Sequence, residues 1–190
     1  VTGVEIGSTP TWSASQKLSA LSSPATSRNI VIGKTGATAN PVATPFQWSD
    51  IGDDLKTALH KPYPNASKDD TGEDRLNYIR GSDAKEGNPF RNRNSLLGDI
   101  VNSGVAYSGA PTTGISSSSY SSFYTSNKGR TPAVFVGAND GMLHAFNATT
   151  GDELFAYIPS WLGPKLSALT NPSYISEHQS YVDSTPAVAE

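Results

Sequence analysis

The sequence predicts a mainly β chain, a lead-in with short helices followed by about one and a half antiparallel blades of a β-propeller. Three observations point there. First, Thr131 to Pro159 reads as three apolar runs, "AVFVGA", "MLHAFNA" and "ELFAYIP", joined by the turn signals "NDG" and "TTG", the pattern of an antiparallel meander. Second, the runs are apolar on both faces: Val134 and Val136 alternate with Phe135, and Met142 and Phe146 with Leu143 and Ala145. A sheet with one wet face carries polar residues at every second place, so this one is expected to be covered on both sides, as blades stacked around an axis are. Third, "IVNSGVAY" and "YVDSTPAV" align with Val101 over Val182, Asn102 over Asp183 and Ser103 over Ser184, an offset of 81 residues. A bare four-stranded blade takes roughly 40 to 50 residues, and a Ser-rich insertion and a long connector account for the excess. The repeat of "TPAV" at 131 and 185 gives a rival offset of 54.

Composition agrees with a loop-rich β protein. The 190 residues are 36% hydrophobic and 16% charged, with 17 glycines and 13 prolines. A formal net charge of -3 gives no electrostatic reason to expect nucleic acid or an anionic membrane surface as partner. The absence of cysteine removes disulfides, thiolate metal sites and cysteine nucleophiles together. No run approaches the roughly 18 apolar residues of a membrane helix. The chain opens on Val1 without a charged and then apolar leader and stops within the strand-like "YVDSTPAVAE", so it is expected to be a segment of a longer protein.

In chain order, residues 1–74 read as the lead-in. A weak helical pattern falls at Ala14, Leu18 and Leu21, and a clearer one in "SDIGDDLKTALHKP", with Asp50 as cap, Ile51, Leu55, Ala58 and Leu59 on one face, and Pro62 as stop. "NASKDDTGEDR" reads as a charged loop. Residues 75–190 read as the propeller portion. "DIVNSGVAYSG" is its first strand, residues 110–130 are a Ser-rich insertion, and the meander follows. The connector "SWLGPKLSALTNPSYISEHQS" holds a short helix with Pro164 near its first turn. A blade and a half leaves apolar faces and strand edges that are expected to need the rest of a propeller.

The combination "LLGDIVNS", "VGANDGMLHAF", "TGDELFAYIP" and "YVDSTP" resembles the start of the C-terminal propeller of the PilY/PilC family, the tip-associated adhesin and biogenesis proteins of bacterial type IV pili. The likeness covers about Arg75 to Glu190, with "TWSASQKLSAL" and "FQWSDIGDDL" ahead of it. It implies a modified, quinoprotein-like seven-bladed propeller in the full-length protein and an extracellular place at the pilus tip or outer surface. It also implies a non-enzymatic role in supporting pilus assembly against retraction and in adhesion. Partners implied are minor pilins, a host or abiotic surface, and the remainder of the propeller. Some members bind calcium through an Asp-rich "DxDxDGxxD" loop; none occurs here, so no cofactor is expected in this segment, and calcium belongs to the full-length propeller.

The stretch "GANDGMLHAFNATTGDELF" is also similar to repeats of propeller dehydrogenases that bind pyrroloquinoline quinone, which makes a fragment of such an enzyme the alternative reading, with a bound redox chromophore as its signature. The simpler reading makes Asn139, Asp140, Gly141, Thr150 and Gly151 structural turn residues and Phe155 a packing residue. A propeller scaffold for outer-membrane assembly is a third reading. Asp69, Asp70, Glu73 and Asp74 form an acidic run of the kind that calcium uses, but without EF-hand spacing it reads as a solvated loop. His60, His144 and His178 lie too far apart for a zinc site, and His144 reads as a packed imidazole with one hydrogen bond. "IRGSD" reads as a turn. Tyr120, Phe123 and Tyr124, among seven serines between 116 and 126, have the chemistry of an adaptable contact loop. No catalytic constellation is legible.

Overall fold

A computed structural model describes residues 9–34 and 43–189. The lead-in supplies α1 (Ala14–Ser19), α2 (Pro24–Ser27), β1 (Ile30–Gly33), β2 (Ala43–Pro45), α3 (Asp53–Leu59) and α4 (Gly72–Arg80). Then come β3 (Ala106–Ser108), α5 (Ser118–Asn127), β4 (Ala133–Gly137), β5 (Leu143–Asn147) and β6 (Glu153–Ile158), followed by 3-10 helices at Ser160–Thr170 and Tyr174–Ser176.

The six strands form one open sheet in the order β2-β1-β6-β5-β4-β3. Strands β3 to β6 pair antiparallel in sequence order, which is the four-stranded meander of a propeller blade. Both turns form where the sequence puts them, with Gly141 and Gly151 at φ 93° and 75°, conformations that residues with a side chain rarely adopt. The chain is thus a partial propeller. The first strand is shorter than expected: only Ala106–Ser108 pairs with β4, and residues 100–105 run outside the ladder.

The lead-in is more than loops and helices. Strand β1 joins the outer edge of the blade, parallel to β6, with Ile30 beside Ala156 and Ile32 beside Ile158. Strand β2 pairs antiparallel to β1. The "IVIG" run is four residues long, too short for its period to stand out. One core therefore crosses the expected boundary at 74/75, since Ile30, Ile32, Phe46, Leu59, Leu76, Ile158 and Leu166 pack into a single buried cluster. Full burial stabilises by roughly 1.5–3 kcal/mol per large apolar side chain.

This packing corrects the expected cover of the sheet. Register places Ile30, Ile32, Val136, His144, Ala156 and Ile158 on one face, and all are buried. That face is closed by the lead-in helices and the 3-10 connector, with Leu18 of α1 packed near Val136 and Phe146. A neighbouring blade is not needed there. The opposite face, with Val31, Phe135, Leu143, Phe155 and Tyr157, is half-buried. Trp12 anchors α1 to the blade: its indole N–H donates to the Ala148 carbonyl at 3.1 Å, and its ring lies where a Cβ on Gly151 would come within 2.5 Å.

Three further expectations change. Helix α3 begins at Asp53 behind Gly52, so Asp50 does not cap it; Asp53 and Asp54 supply the negative charge that suits its first turn. The charged "TGEDR" run opens α4. Its only aliphatic core residues are Leu76 and Ile79, and its period was masked because Arg75 and Arg80 are also buried. The Ser-rich insertion contains a ten-residue helix, α5, capped by the Ser117 hydroxyl accepting from Tyr120 N at 3.1 Å.

The two segments aligned at the offset of 81 lie against each other. Asn102 N donates to Asp183 Oδ1 at 2.8 Å, and Gly104 N to Thr185 Oγ1 at 2.7 Å, so each residue meets its own counterpart in the repeat. Gly137 on β4 lies beneath this seam, and a Cβ there would come within 2.5 Å of the Val182 carbonyl. The variant Gly137→Val is expected to lose about 1–3 kcal/mol by overpacking and to open residues 181–185 to protease. Thermal unfolding with limited proteolysis measures both.

Candidate functional site

The densest polar chemistry sits under the "NDG" turn. His144, fully buried in β5, has both ring nitrogens on carboxylates: Nδ1 is 2.8 Å from Glu153 Oε1, and Nε2 is 3.0 Å from Asp140 Oδ2. Glu153, at the start of β6, also accepts two bonds from Arg28, from Nε at 2.7 Å and Nη2 at 2.9 Å. The side chains of Arg28 and Glu153 are 1% and 5% exposed, so this is a bidentate pair shut away from water. Asp140 accepts in addition from the backbone of Gly98 at 2.9 Å and Met142 at 3.2 Å.

The neighbouring Asn139 is buried and works in two directions. Its Nδ2 donates to Asp99 Oδ2 at 2.8 Å, while its Oδ1 accepts from Tyr181 N at 3.0 Å. Asp99 in turn meets His178 Nε2 at 3.0 Å. Asn139 and Asp140 are therefore more than backbone formers. They fasten the loop before β3 and the return of the connector onto the meander.

Electrostatics follow from the geometry. Burial acts to lower the His144 pKa, but the carboxylates of Asp140 and Glu153 reverse it and raise the group to about 9. Burial acts to raise Glu153, and the hydrogen bonds from His144 and Arg28 bring it down to about 2. Asp140 is likewise lowered, its burial outweighed by the charge and hydrogen bond of His144. The cluster is two carboxylates, an imidazolium and a guanidinium, balanced among themselves. The expected single hydrogen bond on His144 is corrected to two charged contacts. Glu153 and Arg28 carry only faint signals in the sequence, a carboxylate in the apolar run "ELFAYIP" and an arginine in the charge-poor stretch before residue 50.

The remaining candidates are placed apart. Asp69 accepts from Arg75 Nη1 at 2.6 Å and makes a second, shorter contact with Nη2. The Arg75 hydrogen bond, against the effect of burial, leaves Asp69 at about 2. Asp70 sits at positive φ, Glu73 and Asp74 lie in the first turn of α4, and Asp74 faces Lys85 at 3.6 Å. Among the described residues, no group of three or more His, Asp or Glu side chains is arranged to hold a metal ion. Tyr120, Phe123 and Tyr124 lie on α5 rather than in a loop, half-buried, with the Tyr120 and Phe123 rings 5.6 Å apart. Thr150 closes the second turn by donating to Asp152 Oδ2 at 2.8 Å. Phe155 rests against Phe135 at 6.3 Å between centroids. His60 accepts from Gly72 N at 3.2 Å beside Trp48.

Removing one member of the cluster strands the others. Glu153→Leu is expected to cost about 3–5 kcal/mol, read as a fall in the denaturant midpoint. The pH profile has two limbs. The His144 contribution is complete below its ordinary value of 6.5 and disappears as pH rises through about 9. The Glu153 contribution is complete above 4.5 and disappears as pH falls through about 2. Melting temperature should therefore plateau between these limits and fall on either side, and His144→Gln should flatten the alkaline limb.

Comparison with known proteins accords with this architecture. Residues 97–190 match the family model described as the PilY1 beta-propeller domain. The type IV pilus biogenesis factor PilY1 of Pseudomonas aeruginosa strain PAK is 40% identical over 194 residues, covering 96% of this chain and 16% of that protein. The PilY1 of strain UCBPP-PA14 is 41% identical over 203 residues, covering 100% of this chain and 17% of the relative. A PilY1 homolog of Xylella fastidiosa is 43% identical over 125 residues, covering 60% of this chain and 10% of that protein. No solved structure matches. The chain thus spans about one sixth of the length of its Pseudomonas relatives. The match to the propeller model and this degree of identity along nearly the whole chain place it in the PilY1 family of type IV pilus biogenesis factors.

Proposed function

We propose that this chain is the opening segment of the propeller of a type IV pilus biogenesis factor, acting at the cell surface or pilus tip as a scaffold without catalytic chemistry. One observation carries the scaffold reading. The groups best suited to acid–base work, His144, Asp140 and Glu153, are bonded to one another and to Arg28, and His144 has no exposed surface. A general acid or base must reach its substrate directly or through one water, and this cluster faces inward. The rigid blade would then hold surface features for contact with minor pilins and with host or abiotic surfaces. Among them α5, with Tyr120, Phe123 and Tyr124, offers aromatic rings beside serine hydroxyls. The role in the pilus is to support assembly against retraction. Asp69 is engaged by Arg75, which supports reading the acidic run around it as solvated.

Two sets of variants separate scaffold from contact. In the host, full-length protein carrying Glu153→Leu is expected to reduce surface pili recovered by shearing, and removal of the retraction motor is expected to restore them. Tyr120, Phe123 and Tyr124 changed together to serine should leave pilus number intact and lower attachment to surfaces. Normal piliation in a strain lacking the protein altogether would sink the biogenesis reading. Unchanged attachment in the triple variant would remove α5 from adhesion.

A further inference from the structure

The seam between the two repeats has a direction. The earlier copy donates: Asn102 N to Asp183 Oδ1 at 2.8 Å, Asn102 Nδ2 to Asp183 Oδ2 at 2.6 Å, Ser103 Oγ to the Ser184 carbonyl at 3.1 Å, and Gly104 N to Thr185 Oγ1 at 2.7 Å. The later copy accepts, mainly through side-chain oxygens at its first and third positions. Residues two apart in an extended chain point the same way, so both oxygens face one neighbour. Ser103 also accepts from Gly137 N at 2.9 Å, which ties the seam to its own blade.

The later copy carries three of these four donors in the same places; Asp183, with a carboxylate where Asn102 has an amide, lacks the counterpart of Asn102 Nδ2. The amides of Asp183 and Thr185 and the hydroxyl of Ser184 correspond to Asn102 N, Gly104 N and Ser103 Oγ, and none donates to an acceptor among the described residues. Ser184 and Thr185 are exposed. We propose that Val182–Thr185 is a docking edge for the corresponding segment of the next repeat of the same protein, C-terminal to this chain. That segment would be a short extended stretch with Asp or Asn at its first position, Ser at its second and Ser or Thr at its third. Its carboxylate or amide oxygen accepts from Asp183 N, its hydroxyl from Thr185 N, and Ser184 Oγ donates to its backbone. The relatives, of which this chain covers only 16%, have length for such a repeat. The seam is a one-way ladder in which each repeat donates backbone N–H groups to the side chains of its successor. The inference rests on the fold and the offset of 81, independently of the pilus reading.

Hydrogen exchange in the full-length protein tests it, followed by mass spectrometry resolving residues 101–105 and 180–187. The amides of Asp183 and Thr185 should exchange about tenfold or more slowly than those of the exposed 113–115 loop, and comparably to Asn102 and Gly104. The variant Asp183→Ala should release the Asn102 amide while the amide at position 183 stays slow, because its own N–H is retained. Loop-like exchange at Asp183 and Thr185 would overturn the proposal. So would protection that grows with protein concentration, which would assign the edge to a second molecule.

Discussion

The pairing of His144 with two carboxylates is the constraint on which the rest of this structure depends. A buried charge is tolerated only when its partners are present and well aimed, and here the partners come from separated parts of the chain. Asp140 belongs to a tight turn, Glu153 to the outer strand of the meander, and Arg28 to the lead-in. Satisfying the imidazole therefore fixes the turn, sets β6 against β5 and draws the lead-in onto the blade. Apolar packing would hold these parts together without specifying how they meet. The charged cluster specifies it, because a displaced Arg28 leaves Glu153 short of two hydrogen bonds.

Arginine performs the same service in the lead-in and in the loops that follow it. In a chain only 16% charged, several guanidinium groups are turned inward onto main-chain carbonyls. Arg80 binds those of Phe46 at 2.9 Å and Arg28 at 3.0 Å. Arg93 binds those of Tyr78 and Ser82 at 2.5 and 2.7 Å, and Arg91 that of Leu169 at 2.7 Å. Irregular segments and the last turns of helices, such as those of Tyr78 and Leu169, carry carbonyls that no ladder satisfies, and the planar five-donor guanidinium can serve several at once. A loop-rich sequence is thereby given a fixed interior.

What was legible in the sequence was whatever has a period or a turn chemistry. The meander announced itself because the apolar runs and the Asn, Asp and Gly residues of its turns act locally, whereas the repeat was legible only as two rival offsets, 81 and 54, because the aligned segments are short and share few residues. Helix α4 and strand β1 did not, for opposite reasons. Arg75 and Arg80 made a buried helix look solvated, and "IVIG" is too brief to show alternation. The cluster around His144 was not legible: Asp140 reads as a turn residue and His144 as a packed imidazole. The pairing with Arg28, 125 residues from Glu153, follows from tertiary packing and has no local signature. Turn chemistry also masked function: Asn139 and Asp140 satisfy turn preferences while their side chains hold distant segments.

The parallel pairing of β1 with β6 bears on the order of events in synthesis. Ile30 finds Ala156, so strand β1 is translated long before the strand beside which it lies. Contacts so remote in sequence close slowly, because the intervening chain must lose its freedom before the contact rewards it. The meander, whose strands are joined by tight turns, has no such delay. Within this segment the lead-in, made before the meander, is thus among the last parts able to reach its final place, and until then its apolar strand and helices have no sheet to cover. A nascent chain with this topology depends on being kept from other partners during that interval.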